Sequence, residues 1–152
     1  MNTVWEHNFR VRSKDTYNSQ IVFGGKVMAE MDAACDTAVK RFLYDSPTGV
    51  HDAVTVAMSN LNFYFGAKVS DLVILRAEIV QARYKSIDIH VDGYFEQKSA
   101  ARDLICEADF RFVGFDLAEE TALPHGLPYE TDYRPVFGPG RSGLREMKKK
   151  VK

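Results

Sequence analysis

The chain has 152 residues, 45% of them hydrophobic and 27% charged, with a formal net charge of -1. That length can bury roughly two thirds of the unfolded surface in one domain, and the composition is that of a globular protein rather than a disordered or fibrous one. The near-neutral balance carries no footprint for nucleic acid, and no window approaches the roughly 18 to 20 apolar residues that span a bilayer.

The opening run MNTVWEHNFRVRSKD lacks the basic-then-apolar order of a secretory signal, so a cytoplasmic location is expected. Within it, TVWEHNFRVR alternates as a first strand, and SKDTYNSQ follows as a polar turn. From Val27 the apolar residues Val27, Met28, Met31, Ala34, Cys35, Ala38, Val39, Phe42 and Leu43 recur at steps of three and four, one face of a helix about five turns long. Pro47 and Gly49 in YDSPTG are its stop signals. Cys35 and Cys106, the two cysteines, both sit in apolar patterns; they read as small buried hydrophobes, and neither a disulfide nor a metal site is expected.

Four extended segments come next: AVTVAMSNLNFYF, DLVILRAEIVQAR, SIDIHVDGYFEQ and DLICEADFRFVGFD. In the third, Ile87, Ile89, Val91, Gly93 and Phe95 oppose Asp88, His90 and Asp92; in the fourth, Leu104, Cys106, Ala108, Phe110 and Phe112 oppose Glu107, Asp109 and Arg111. One long helix with a wide apolar stripe and about five antiparallel strands with one dry face predict an α+β fold in which a strongly curved sheet wraps the helix. Such a sheet leaves an edge unpaired, so at least a homodimer is expected. The domain is placed at residues 1–118. Residues 119–152 read as an irregular tail whose end is basic through Arg141, Arg145, Lys148, Lys149, Lys150 and Lys152.

The chemistry-bearing stretch is FGGKVMAEMD. Glycines at a helix start let a ligand approach the first-turn amides, which are unpaired donors at the positive end of the helix dipole. Neither G-x-x-x-x-G-K-[ST] nor G-x-G-x-x-G is present, so a carbonyl oxygen gaining charge during acyl transfer fits better than a nucleotide phosphate. Asp32 follows Gly25 by about two turns on nearly the same side of the helix, where it could serve as base or nucleophile. The four histidines His7, His51, His90 and His125 lack metal-ligand spacing, and His90 falls on the polar face of its strand. Phe63 and Phe65 are candidates to line an acyl groove.

FRVRSKDTYNSQIVFGGKVMAEMDAACDTAVKRF, with AVTVAMSNLNF and VSDLVILRAEIVQARYKSIDIHV, resembles the hotdog-fold acyl-CoA thioesterases over about residues 8 to 116. The most specific positions are Phe23, Gly24 and Gly25 with Met31 and Asp32, then Thr55 to Ala57 ending in Asn62 and Phe63. The resemblance implies Asp32 as the catalytic carboxylate, the Gly25 amide as the donor to the thioester carbonyl, and a loop asparagine delivered across a dimer interface. Here the gapless position holds Tyr17, with Asn18 one step later and Gln20 where the family usually has glycine; Asn18 is the expected third catalytic residue, and Tyr17 an alternative. Tyr17, Gly24 and Phe63 are expected to bind substrate, and Arg83, Lys85 and Ser86 to contact coenzyme A. Ser70 stands before Asp71 where related sequences often have glycine. The expected activity is acyl-CoA hydrolysis without metal or cofactor, in a dimer, tetramer or hexamer; the rival is a non-catalytic acyl-CoA-binding protein.

Overall fold

The computed structural model of the chain describes residues 2–17, 20–96 and 103–137; Asn18 and the basic stretch from Arg141 to Lys152 lie outside them. Strand β1 (Val4–Arg10) leads through a single 3-10 turn at Ser13–Asp15 to helix α1 (Gly24–Leu43), followed by β2 (Ala53–Phe63), β3 (Leu72–Ala82), β4 (Ser86–Phe95), β5 (Leu104–Asp116) and two short strands, β6 (Thr121–Ala122) and β7 (Tyr129–Glu130).

The α1 stripe buries Val27, Met31, Ala34, Cys35, Ala38, Val39, Phe42 and Leu43, with Met28 half-buried at its margin. Each large member, such as Phe42, contributes about 2–3 kcal/mol by leaving water. The helix ends in a tightened turn, Tyr44 N–H donating to Arg41 O, before Pro47 prevents continuation. The Leu43 carbonyl accepts from Ser46 N–H at 3.0 Å, and the imidazole Nδ1 of His51 lies 3.1 Å from the same oxygen.

The sheet is antiparallel in the order β1-β3-β4-β5-β2, with β6 on the end of β5 and β7 on the end of β3. All five long strands pack on α1. Ala77, Val91 and Ala108 lie side by side on the inner face, as do Ile79, Ile89 and Phe110. Bulges at Val56, at Asn60–Leu61 and at Val80 bend the strands around the helix. At Gly93 a Cβ would stand 2.3 Å from Cys106 Sγ and 3.1 Å from Leu75, so only glycine lets the strands close over the core there.

The outer face of the sheet is not simply wet. Asp88 and Asp109 are buried on it because the chain after β6 covers that side. His125 packs edge-on to Phe42 beneath the helix end, β7 pairs with Gln81 and Ala82, and the chain then crosses β4 and β5. There the Tyr133 hydroxyl donates to Asp109 at 2.9 Å, and the Phe137 ring lies 4.4 Å from the Arg111 guanidinium. Residues 119–137 thus carry little regular structure yet pack against the sheet. No helix among the described residues is long and apolar enough to cross a membrane.

Candidate active site

Gly24 and Gly25 open α1 behind Phe23, whose backbone is extended and whose side chain cannot cap the helix. Lys26 N–H donates to Phe23 O at 3.1 Å, but the Gly24 and Gly25 amides have no carbonyl one turn earlier in the helix to donate to, and Gly25 is exposed, so this end offers N–H groups to a ligand. The preceding loop is tied down by Asp15, which is 4% exposed: its carboxylate accepts from Arg12 N–H at 2.9 Å, its carbonyl accepts from Phe23 N–H, and Lys26 Nζ lies 3.7 Å away. Lys26 also binds Glu30, one turn along, which in turn meets His7 at 2.6 Å. A bridge between Thr16 and Val22 closes the loop. Tyr17 is 79% exposed, with its ring 5.1 Å from that of Phe23, so the phenol stands beside the helix start.

Asp32 is half-buried two turns further on, facing β2, and Thr55 donates its hydroxyl to Asp32 Oδ1 at 2.7 Å. The bulge at Val56 sets this contact: Thr55 pairs with the inward Phe112, and after the extra residue Met58 pairs with the inward Phe110, so both Thr55 and Met58 face the helix. In the sequence Thr55 stands out only as part of the family-like run Thr55 to Ala57. Its partnership with Asp32 depends on a register shift that no alternation pattern reveals.

Phe63 lies against the helix start, where a methyl built on Gly24 would sit 3.4 Å from its ring. Beside it a cavity of about 290 Å³ is bounded by Val22, Gly24, Val27, Phe63, Phe65, Ala67, Ile105 and Cys106. Burial pushes the Cys106 thiol up to about 12, with Asp92 and Glu107 adding to the rise, so this wall is a neutral thiol at ordinary pH.

Arg83, Lys85 and Ser86 stand elsewhere. They form the β3–β4 turn, where Arg83 N–H donates to Ser86 O and His125 N–H to Tyr84 O, and Ser46 Oγ from the chain just past α1 donates to His125 O. That is the C-terminal end of a 20-residue helix, about 30 Å long, whose other end carries the glycines. One protomer therefore gathers Gly24, Gly25, Phe63 and Tyr17 at one end, sets Asp32 with Thr55 part of the way along, and leaves the cationic turn at the other end. Asn18 lies outside the described residues.

A second polar cluster occupies the outer face. His90 Nδ1 donates to Asp109 at 2.7 Å and Nε2 meets Asp92 at 2.8 Å, with Glu107 at 3.8 Å; Asn60 and Tyr133 complete the partners of Asp109. Burial alone would discharge His90, but the hydrogen bonds to Asp109 and Asp92 outweigh it and raise its pKa to about 10. The ligand atoms of His90, Asp92 and Glu107 lie within 4.8 Å of one another, a grouping that sequence spacing hid, and the imidazolium itself serves as the cation among them.

A helix laid in a curved antiparallel sheet, with glycine amides at its start and a carboxylate two turns on, defines a hotdog fold of the thioesterase kind. The family model described as the thioesterase superfamily matches residues 19–100, and the chain belongs to that superfamily. An acyl-CoA hydrolase from Staphylococcus aureus, in complex with butyryl coenzyme A, coenzyme A and coenzyme A disulfide, superposes with a TM-score of 0.73 at 21% identity, over 87% of this chain and 77% of that one. Structures of variants of that hydrolase, each with an asparagine, an aspartate or a threonine changed to alanine, match as well. A hexameric thioesterase from Yersinia pestis gives 0.68 at 26% identity over 81% and 93% of the two chains, and an acyl-CoA hydrolase from Bacillus cereus 0.71 at 18% over 97% and 82%. No match is found among curated protein sequences.

Proposed function

We propose that the protein hydrolyses acyl-CoA thioesters to free acid and coenzyme A. The observation that carries this reading is the Thr55–Asp32 hydrogen bond: it aims a half-buried carboxylate at the β2 side of a helix whose glycine amides are uncapped. Asp32 takes a proton from water as the water oxygen bonds to the thioester carbon. The carbonyl oxygen becomes an oxyanion held by the Gly25 amide, the C–S bond then breaks, and the thiolate leaves with a proton. No metal enters this scheme, because the helix end supplies the electrophile. The residue types altered in the Staphylococcus aureus variants include those of Asp32 and Thr55.

A homodimer completes the site. Gly25 and Asp32 are separated by about 10 Å of helix rise, a long span for one carbonyl group to bridge. α1 runs against β2 in the opposite sense, with Gly24 beside Phe63 and Asp32 beside Thr55. β2 is the sheet edge, and its Val56 and Met58 are 52% and 38% exposed. A second copy pairing there antiparallel, about a two-fold axis, sets its Thr55 end against this protomer's Phe63 end. Asp32 of the partner subunit then faces this Gly25. Ser86 is level with Val54 through Val113, so the partner's Arg83–Ser86 turn arrives at the same end. Arg83 and Lys85 meet the coenzyme A phosphates from there, and Asn18 or Tyr17 adds a polar group from the loop.

The test is thiol release over a panel of acyl-CoA esters by the parent and by Asp32→Ala. Turnover that Asp32→Ala loses supports the reading; equal rates for the two chains overturn it. A saturable heat with intact acyl-CoA and no thiol release marks a binding protein instead.

A further inference from the structure

The acyl preference of the site follows from the cavity at the helix start, and this step rests on the thioesterase reading. A carbonyl oxygen held by the Gly25 amide leaves its acyl tail beside Gly24, where the 290 Å³ cavity opens. Its floor is set by Val27, Ala67 and Cys106, which are 4%, 1% and 1% exposed and close the cavity against the packed core. Its rim is aromatic, with Phe63 at 47% and Phe65 at 64% exposure. A methylene fills about the liquid volume of a water, ~30 Å³, so a cavity of this size matches a tail of about eight to ten carbons, and longer tails extend past its open rim. The remaining polar handle, the Tyr64 hydroxyl, is turned outward to Glu107 Oε1 at 2.7 Å. Among the described residues no cationic side chain lines the cavity, and a carboxylate there would be desolvated without a partner.

We infer that the protein acts on short- to medium-chain, uncharged acyl-CoA esters, with an optimum near eight carbons, and discriminates against long fatty and ω-carboxyacyl esters. Each methylene entering the cavity raises kcat/KM about fourfold until the floor is reached, after which a longer tail must turn out past the aromatic rim into water and brings no gain. A bulkier residue at position 67 shortens the usable depth.

The experiment has two arms. First, kcat/KM is measured for the parent and Ala67→Leu with acetyl-, butanoyl-, hexanoyl-, octanoyl-, dodecanoyl-, palmitoyl- and succinyl-CoA. The expected profile climbs to about eight carbons, is flat or falling by twelve, and is at least tenfold lower for succinyl- than for butanoyl-CoA. Ala67→Leu moves the optimum to about four carbons. Palmitoyl-CoA as good as or better than octanoyl-CoA, or an unmoved optimum in a folded Ala67→Leu chain, overturns the inference. Should Ala67→Leu not fold, the parent profile decides alone. Second, Asp32→Ala is titrated calorimetrically with intact butanoyl-, octanoyl- and palmitoyl-CoA. Tighter binding of octanoyl- than of butanoyl-CoA, with no further gain for palmitoyl-CoA, sustains the inference. The absence of turnover with every ester in the first arm counts against the hydrolase reading alone, because this second arm reads the cavity without it.

Discussion

The Thr55 hydroxyl donates to Asp32 Oδ1 at 2.7 Å, joining the edge strand to the central helix across 23 positions of sequence. In the proposed mechanism Asp32 acts on water and Thr55 acts through Asp32, so their substitutions separate. Asp32→Ala is expected to lower kcat by about 10²- to 10⁴-fold, the share of a general base. Thr55→Ala misaims the carboxylate and is expected to lower kcat by about 10- to 100-fold with KM little changed, while Thr55→Ser restores most of it. Steady-state kinetics of the three variants checks this; a loss confined to KM, or no rescue by serine, speaks against a positioning role.

The oxyanion donor proposed at the helix start is a backbone N–H, which only proline removes. Gly25 is the second residue of α1, where proline is tolerated, so Gly25→Pro is expected to fold with a lower melting temperature and to lose about 10²- to 10³-fold in kcat. Gly24→Ala is its control. The added methyl meets the Phe63 ring at an ordinary 3.4 Å, and activity should fall less than about fivefold. Circular dichroism alongside thiol release tells the two variants apart.

The helix and its buried face were legible from period alone, because eight of the nine stripe residues named from sequence are buried and Met28 lies at the edge. The four later strands were equally legible, since alternation of Ile87 to Val91 against Asp88 to His90 survives any local detail. What escaped was non-local. Thr55 meets Asp32 only through a bulge, and His90 looked like a surface residue because nothing in its own strand announces that Tyr133 will lie 4.8 Å from its ring, from 43 positions further along the chain. Ser70 stands where related sequences often have glycine, and its φ of 78° gives that difference a structural meaning.

That φ leads to a stability prediction. A serine held in the left-handed region carries strain of about 1 kcal/mol that glycine does not, partly offset by the glycine's larger unfolded-state entropy. The Ser70 backbone bonds, N–H to Val11 O and C=O from Arg10 Nη1, need no side chain. Ser70→Gly is expected to stabilise the fold by about 0.5–1 kcal/mol, raising Tm by about 1–4 °C, with activity unchanged. Thermal unfolding decides it, and an unchanged or lower Tm refutes the strain.

The His90 cluster sets a pH dependence of stability. Its folded pKa of about 10 exceeds the ordinary value of 6.5, so the stabilisation is complete below about pH 6.5 and is lost progressively as pH rises toward and through 10. Asp109 is the opposite case. Burial works to raise its pKa, yet hydrogen bonds from His90, Asn60 and Tyr133 bring it below the ordinary carboxylate value, so its contribution is present above about pH 4 and is lost as pH falls. Urea unfolding of the parent at pH 6, 8 and 10 should show falling stability, with a shallower fall in His90→Gln. Parallel curves for the two chains would exclude a role for this imidazolium.

The composite site makes the sharpest demand. If Gly25 of one protomer works with Asp32 of the partner subunit, two inactive chains should repair each other. In a mixed dimer of Asp32→Ala with Gly25→Pro, one site combines the intact amide of the first chain with the intact carboxylate of the second, while the other site loses both. Unfolding the two variants together and refolding them in equal amounts should therefore restore roughly a quarter of parental activity, since random pairing makes half the dimers mixed and each mixed dimer has one working site. A site built within a single chain gives no recovery, because every helix in the mixture then lacks one of the two groups. Recovery also fixes the direction of β2 pairing, since only an antiparallel edge brings the partner's Thr55 end to this chain's Phe63 end.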